Sequence, residues 1–157
     1  MTLRIPHILI AAALMGTGLG AGLAGGAAAG GKTVVSSPDA PEAIGPYSQA
    51  IQVGDTLYLA GQIAIDPASG AVMGDLDIEG QTTLVLENLR AVLEAAGMGM
   101  ENVVSTSVFL QDLDEFPRMN AVYATFFPEA PPARATVEVS RLPRDVKIEI
   151  SAIAVGF

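Results

Sequence analysis

Cysteine is absent from this 157-residue chain, and histidine occurs only once, as His7. His7 lies in a segment that we predict to be removed, so the remaining chain would contain neither residue. Zinc sites of the Cys/His type, thiol nucleophiles, Ser-His-Asp triads and histidine general bases are then excluded. Any chemistry must use carboxylates, arginine, lysine, tyrosine, hydroxyl groups, backbone amides and water.

Acidic residues are missing from the first 29 positions, which contain Arg4 near their start. An apolar run from Ile8 through Leu23 follows, and small residues then lead to Ala29. This layout predicts a secretory signal peptide at residues 1–29, cleaved near Ala29, and an exported, periplasmic protein. A membrane anchor is an alternative, but glycines interrupt the run, and a spanning helix needs about 20 strongly apolar residues. We expect no stable membrane insertion after cleavage, with an uncleaved tether as the other outcome.

Basic residues are scarce in the rest of the chain. The predicted mature domain, residues 30–157, has 157 − 29 = 128 residues, which is the size of one compact domain. Loss of Arg4 leaves 8 − 1 = 7 basic residues against 17 acidic ones, a formal charge of −10. Such a surface repels phosphate backbones, so no nucleic-acid partner is expected.

Apolar periodicity predicts strands and two amphipathic helices in this domain. The expected order is strands at 33–36, 48–53 and 56–65, a helix at 78–96, a strand at 102–110, a helix capped by Asp112 or Asp114 that runs through Phe127, and two final strands within 131–155. Packing both helices on one face of a mixed sheet would bury both sets of apolar residues. The pattern therefore predicts an α+β fold.

The two final strands carry the residues of greatest chemical interest, Arg134 and Glu149. Each lies on the polar side of a run that alternates with apolar residues such as Val137 and Ile148. If the two runs pair as a long hairpin across residues 140–145, their polar sides lie on one sheet face. A guanidinium and a carboxylate would then share a cleft.

From the pattern alone, simpler interpretations of these residues stay open. Arg134 could pair with Glu138 at the surface, and Glu149 could lie on the exposed face of an edge strand. Tyr47 follows Pro46 and could simply pack a loop. The alternation therefore indicates candidates without deciding between ligand binding and surface structure.

Several motifs, in order along the whole predicted domain, resemble the RidA family, also called YjgF. They are GPYSQA at 45–50, LAGQI at 59–63, EAAG at 94–97, FPEAPPARATVEV at 127–139 and LPRDVKIEISAIA at 142–154. The resemblance implies a chorismate-mutase-like fold of a mixed sheet with two helices, assembled as a homotrimer with ligand clefts between subunits. It also implies hydrolysis of reactive enamines and imines, such as 2-aminoacrylate and 2-iminopropanoate, to the 2-keto acid and ammonia, without a cofactor or metal.

Carried over by motif, the resemblance gives roles to individual side chains. Arg134 would bind the substrate carboxylate, and Glu149 would position the water. Tyr47 is expected to be the third catalytic residue, either donating a hydrogen bond or supplying an aromatic wall. The residues expected to bind substrate around the same cleft, besides Arg134, are Ala60, Gly61, Asn120 and Tyr123.

Two positions depart from the family pattern. Ala60 stands where many members have serine, which removes a hydroxyl, and Thr136 stands where some have cysteine. An alternative function is a trimer that binds small carboxylates, or acts like a chaperone, without catalysis. Ribonuclease activity, attached to some relatives of the family, is opposed by the charge of −10 and by the lack of histidine after residue 7.

Overall fold

A six-stranded mixed sheet with two helices on one face forms the framework of residues 31–157, the part of the chain that this computed structural model describes. The predicted signal peptide lies outside the described residues. The strands are β1 Thr33–Val35, β2 Ala50–Val53, β3 Thr56–Ile63, β4 Val103–Leu110, β5 Ala133–Glu138 and β6 Ile148–Val155, and the helices are α1 Ile78–Ala95 and α2 Phe116–Phe126. The predicted α+β architecture is confirmed.

The strand order, β1-β2-β3-β6-β4-β5, places β4 between the two final strands. All neighbouring pairs are antiparallel except β4 and β5, which are parallel. The predicted hairpin of β5 and β6 is therefore wrong. Helix α2 forms the crossover that parallel pairing requires, so that β5 lies beside β4. The chain then crosses β4, and β6 pairs with the other edge of β4.

Helix α1 covers the centre of the sheet because its apolar residues recur at three- and four-residue steps. The Asp77 side chain caps it by accepting a hydrogen bond from the backbone N–H of Gly80 at 2.9 Å. Gly97, with φ of 73°, follows the end of the helix in the left-handed region. The fully buried aliphatic side chains of α1 are Ile78, Val85, Leu86, Leu89, Val92 and Leu93. Each such burial contributes about 1.5–3 kcal/mol.

Helix α2 begins later than the sequence predicted. Asp112 accepts a hydrogen bond from the N–H of Asp114 at 2.8 Å and caps a single 3₁₀ turn, Leu113–Glu115. Helix α2 starts directly after that turn, with Pro117 in its first turn and no side-chain cap of its own. The prediction that Asp112 or Asp114 caps α2 itself is thus wrong.

The two faces of the sheet differ in what covers them. On β6, Ile148, Ile150, Ala152 and Ala154 point into the core beneath the helices, because alternate strand residues face opposite sides. Glu149 and the residues at 151, 153 and 155 point to the face without helices. That face exposes Tyr58, Val137 and Ile153. Within residues 31–157, neither helix is long and apolar enough to cross a membrane.

Candidate active site

The carboxylate of Glu149 opens into a cleft of about 290 Å³ on the helix-free face, which we call the Glu149 cleft. Its lining residues are Ile44, Tyr47, Ala60, Gly61, Ile63, Pro143 and Glu149. The structure therefore brings together four of the residues singled out from the sequence, from two segments more than 80 positions apart.

A β-bulge in β3 shapes this cleft. Leu59 pairs with Ala152 and Gln62 pairs with Ile150, so two residues of β3, at positions 60 and 61, oppose only Ser151. Bulges of this kind bend a strand and redirect its side chains.

Gly61, within the bulge, allows the carboxylate of Glu149 to lie directly on the backbone of β3. A Cβ atom added to Gly61 would overlap the Glu149 carboxylate. Gly61 therefore keeps this place for the carboxylate through the absence of a side chain and not through its φ, which is not in the left-handed region.

The electrostatic setting of Glu149 favours proton transfer. The side chain is partly buried, and no hydrogen bond joins its carboxylate to another residue in 31–157. Burial raises the pKa of Glu149 above its ordinary value, because desolvation disfavours the charged form. A carboxylate with a raised pKa is better matched to general acid–base work near neutral pH than an ordinary glutamate.

Tyr47 lies at the mouth of the cleft with a ring that is about half exposed. Its hydroxyl accepts a hydrogen bond from the N–H of Ile44 at 3.2 Å, and its own N–H donates to the carbonyl of Gly45 at 2.8 Å. The side chain therefore both fixes its own loop and forms part of the cleft wall.

Arg134 lies in a second cleft, of about 410 Å³, which we call the Arg134 cleft. Its lining residues are Asn120, Tyr123, Ala124, Phe127, Pro131, Pro132 and Arg134. The NH2 nitrogen of Arg134 donates to Oδ1 of Asn120 at 2.8 Å. Its guanidinium carbon lies 4.5 Å from the ring centre of Tyr123 and 5.5 Å from that of Phe116.

These contacts hold the guanidinium without neutralising it. Arg134 forms no ion pair with a carboxylate of the described chain. Glu138, its possible surface partner, instead accepts a hydrogen bond from the N–H of Leu113 at 2.9 Å. Arg134 thus keeps donors for an external anion, and a planar guanidinium binds carboxylates through two parallel hydrogen bonds.

Tyr123 is fixed beneath Arg134 by its own hydrogen bond. Its hydroxyl lies 2.7 Å from Oγ1 of Thr106, and the ring is buried. Burial raises the pKa of Tyr123, while the Thr106 hydrogen bond and the charge of Arg134 partly oppose that rise. The tyrosine therefore stays neutral at physiological pH and presents a ring face to the cation.

The two clefts lie on opposite faces of the sheet. Arg134 pairs in register with Thr106, which in turn pairs with Ala152 on the helix face. Glu149 pairs with Phe109, an odd number of residues from Thr106, and so faces the other way. The expectation that both residues share one cleft through a hairpin is wrong for a single protomer, because β4 separates their strands.

The segments that form the two clefts also resemble known proteins. Residues 37–156 match the family model described as Endoribonuclease L-PSP. The chain belongs to this family. This match confirms the predicted RidA/YjgF membership. The matched residues include those that line both clefts.

Within the family, a RutC family protein of Pyrococcus horikoshii is 54% identical over 123 residues, covering 78% of this chain and 97% of that protein. The 2-iminobutanoate/2-iminopropanoate deaminase of Salmonella typhimurium is 47% identical over 124 residues, covering 77% of this chain and 95% of that enzyme. The crystal structure of the YjgF gene product of E. coli superposes with a TM-score of 0.76 at 43% identity, covering 80% of this chain and 99% of that one. These relatives show that the chain has the fold of the family.

Sequence reasoning missed several contributors to the clefts, including Phe116, Thr106 and Pro143. Phe116 and Thr106 support Arg134 directly or through Tyr123, and Pro143 forms part of the Glu149 cleft. The spacing of Phe116, Asn120 and Tyr123 on α2 was a usable signal, because residues four and seven apart share a helix face.

Thr136, at a position where some RidA-type members of the family carry cysteine, has a buried hydroxyl with no hydrogen-bond partner in the described chain. Residues 31–157 also contain no group of three or more His, Cys, Asp or Glu side chains placed to hold a metal ion together.

Proposed function

We propose that this protein hydrolyses 2-imino acids, and 2-enamino acids after their tautomerisation, to 2-keto acids and ammonia. The observation that carries the proposal is the preformed Arg134 cleft, in which an unpaired guanidinium is oriented by Asn120 and Tyr123. Such a group is suited to the planar carboxylate of an amino-acid-derived imine. The deaminase relative at 47% identity supports the same chemistry.

We propose further that the complete site forms between protomers of a homotrimer. Strand β5 is an edge strand, so Arg134 lies near the border of one protomer, while the Glu149 cleft opens on the uncovered face. That face exposes Tyr58, Val137 and Ile153, which a partner would remove from water. In a cyclic trimer the border of one protomer meets a different surface of the next, which could bring Arg134 and Glu149 together.

Hydrolysis requires that the imine be oriented and that Glu149 transfer protons. Arg134 binds the carboxylate and fixes the neighbouring C=N carbon relative to Glu149. The imine enters as the iminium, with its nitrogen already protonated. Glu149 accepts a proton from water as the water oxygen bonds to that carbon, and the C=N electron pair moves to nitrogen, so that Glu149 is left protonated. A carbinolamine results.

Collapse of the carbinolamine completes the hydrolysis. Glu149 returns its proton to the nitrogen, the C–N bond breaks with its electron pair leaving on ammonia, and the hydroxyl proton is lost as the C=O bond of the keto acid forms. The same carboxylate thus serves first as base and then as acid, a role for which its raised pKa is suited.

The test is a deamination assay on freshly generated 2-aminoacrylate. We expect the purified protein to form pyruvate above the spontaneous rate, and Arg134→Ala to remove that excess. A matched control is Arg118→Ala, since Arg118 is an exposed arginine paired with Glu79 away from both clefts. If the parent protein adds nothing to the background rate for several imino acids, deamination is not its function.

A second candidate is binding of small carboxylates without turnover. The separation of the two clefts within one protomer favours it, because an isolated protomer would present Arg134 without Glu149. This alternative predicts pyruvate binding that is unchanged in Glu149→Gln, together with an inactive parent protein.

Two further expectations remain proposals. We propose that residues 1–29 direct export and are removed, which a mass measurement of the chain recovered from its native compartment would test. We also propose that the protein does not cleave RNA, because a chain of charge −10 after residue 29 repels phosphates. RNA cleavage that survives purification and disappears in a point variant would contradict the latter.

A further inference from the structure

Four of the seven positive charges of residues 31–157 are paired with carboxylates. The seven basic residues are Lys32, Arg90, Arg118, Arg134, Arg141, Arg144 and Lys147. Four of them form ion pairs with carboxylates, namely Arg90, Arg118, Arg141 and Lys147. Within this part of the chain, Lys32, Arg134 and Arg144 form none. Lys32 lies at its beginning and Arg134 binds ligand in the proposed function, which leaves Arg144 unexplained.

Arg144 is the chain neighbour of a residue that lines the Glu149 cleft. It follows Pro143, which lines the cleft, in the short 3₁₀ segment Pro143–Asp145 that leads into β6. The Arg144 side chain is exposed. A cation at this place adds positive potential to the entrance of a cleft whose one charged lining residue is Glu149.

The loop around Arg144 contains one ion pair and is flanked by two buried side chains. Arg141 and Asp145 form a bidentate pair, with Nε to Oδ1 at 2.6 Å and NH2 to Oδ2 at 3.0 Å. Leu142 and Val146 are buried on either side of the loop. Arg144 is therefore presented from a fixed backbone.

The backbone conformation at Arg144 would suit glycine better than arginine. Its φ is 61°, and that of the next residue, Asp145, is 57°. The left-handed region brings Cβ close to the backbone, a steric penalty that glycine escapes. A non-glycine residue held in this way is a reason to look for a function of its side chain.

We propose that Arg144 recruits anionic substrates to the Glu149 cleft through its electrostatic field. The need follows from charge: the net charge of −10 after residue 29 repels a carboxylate-bearing imine, and Arg144 is the cation without an ion pair in residues 31–157 that adjoins a lining residue of the Glu149 cleft. Arg144 acts at a distance, so its effect is screened by salt. The proposal rests on the proposed function for its substrate class, a small 2-imino monocarboxylate.

The test measures binding of pyruvate, the keto-acid product, by isothermal titration at two ionic strengths. In Arg144→Gln we expect the Kd to rise about two- to threefold at low salt, which is the size of effect that Coulomb's law gives for two unit charges roughly 8–10 Å apart in water. In Arg144→Glu the rise should be about fourfold to ninefold, since two units of charge change. At about 0.3 M salt, where the screening length falls well below 10 Å, both variants should approach the parent.

Lys32→Gln and Lys32→Glu are the matched controls, because they change the net charge equally at a cation that forms no ion pair in residues 31–157 and whose chain neighbours line neither cleft. They should bind pyruvate as the parent does. If the Arg144 variants match the Lys32 variants at low salt, recruitment is refuted. A loss that is equal at both salt concentrations would indicate a short-range contact and would also refute it.

Arg144→Gly separates recruitment from a structural role. We expect a Tm no lower than that of the parent, with the same salt-dependent loss of pyruvate affinity as Arg144→Gln. A lowered Tm with unchanged affinity would show that the arginine serves the loop, and would overturn the proposal.

The binding test requires no turnover, so the two proposals can fail separately. A salt-dependent Arg144 effect in a protein that does not deaminate refutes the deaminase proposal alone. Deamination with no Arg144 effect refutes recruitment alone. Failure of the parent protein to bind pyruvate at all would contradict both.

Discussion

The Arg134 and Glu149 clefts differ in how firmly their central residues are held. Arg134 is fixed by an amide on α2 and two aromatic rings, one of which is buried and bonded to Thr106. Glu149 lies over a glycine in a bulge, beside an exposed tyrosine, without a hydrogen-bond partner in residues 31–157. The comparison indicates that the ligand-orienting group is preorganised by packing, while the proton-transferring group is kept available to water.

A large loss of activity is expected from removing the preorganised group. Arg134→Ala deletes two charge-assisted hydrogen bonds to the substrate carboxylate, so kcat/KM should fall by about 10²-fold or more. Arg134→Lys retains the charge but not the fork, and should recover only part of that loss. Steady-state kinetics with 2-iminopropanoate measure both. Near-parental activity in Arg134→Ala would mean that the Arg134 cleft does not bind substrate.

Glu149→Gln should lower kcat by about 10²- to 10⁴-fold while leaving pyruvate affinity nearly unchanged. The amide keeps the shape of the side chain but cannot accept the proton from water. Kinetics and titration on the same preparation separate the two effects. An equal loss of binding and turnover would instead show that Glu149 mainly positions the ligand.

The raised pKa of Glu149 predicts the direction in which activity and stability change with pH. Because burial raises its pKa in the folded protein, activity should fall as pH drops through that raised pKa, where the base becomes protonated. The stability of the fold changes with pH in the opposite direction. The proton on Glu149 stabilises the folded protein fully below the pKa of the unfolded state, and this stabilisation is lost as pH rises through the pKa of the folded state. Glu149→Gln should therefore be more stable than the parent at neutral pH and not in acid. Urea denaturation at both pH values tests this, and an equal difference at both would contradict it.

Gly61→Ala should lower kcat by about 10-fold, because the new methyl group displaces the carboxylate that depends on this glycine. The displaced atoms are the end of a flexible side chain, so stability should change little. Gly74→Ala is the control, since a Cβ at Gly74 meets nothing within 4 Å. Parental activity in Gly61→Ala would show that the position of the Glu149 carboxylate is unimportant.

The smallest effect is expected at Tyr123. Tyr123→Phe removes the hydrogen bond to Thr106 and should lower stability by about 1 kcal/mol, while the ring still supports Arg134. Tyr123→Leu removes the ring as well and should weaken pyruvate binding. If the leucine and phenylalanine variants bind equally, the aromatic contact does not orient the arginine.

Much of the fold followed from the sequence. Helix α1 was predicted to end at Ala96 and ends at Ala95, and β4 was predicted from Asn102 and begins at Val103. Periodicity and the Gly97 stop signal determine these boundaries locally. Strand β3 stops at Ile63, two residues before the predicted end, because the N–H of Ile65 turns back to the carbonyl of Ile63.

The pairing of β5 and β6 could not be predicted from the same information. Alternation shows which residues share a face of one strand, but says nothing about which strand lies beside it. The insertion of β4 between Arg134 and Glu149 is set by the α2 crossover and by burial under two helices. The sequence therefore predicts which residues of one segment share a face. It does not predict how the two clefts lie relative to each other.

The most direct test mixes two inactive variants, Arg134→Ala and Glu149→Gln, after unfolding and refolding them together in equal amounts. If each site takes Arg134 from one protomer and Glu149 from its neighbour, random trimers regain about one quarter of parental activity. Refolding each variant alone should give none. Failure of the mixture to regain activity, with trimers formed and both variants folded, would contradict a site shared between protomers.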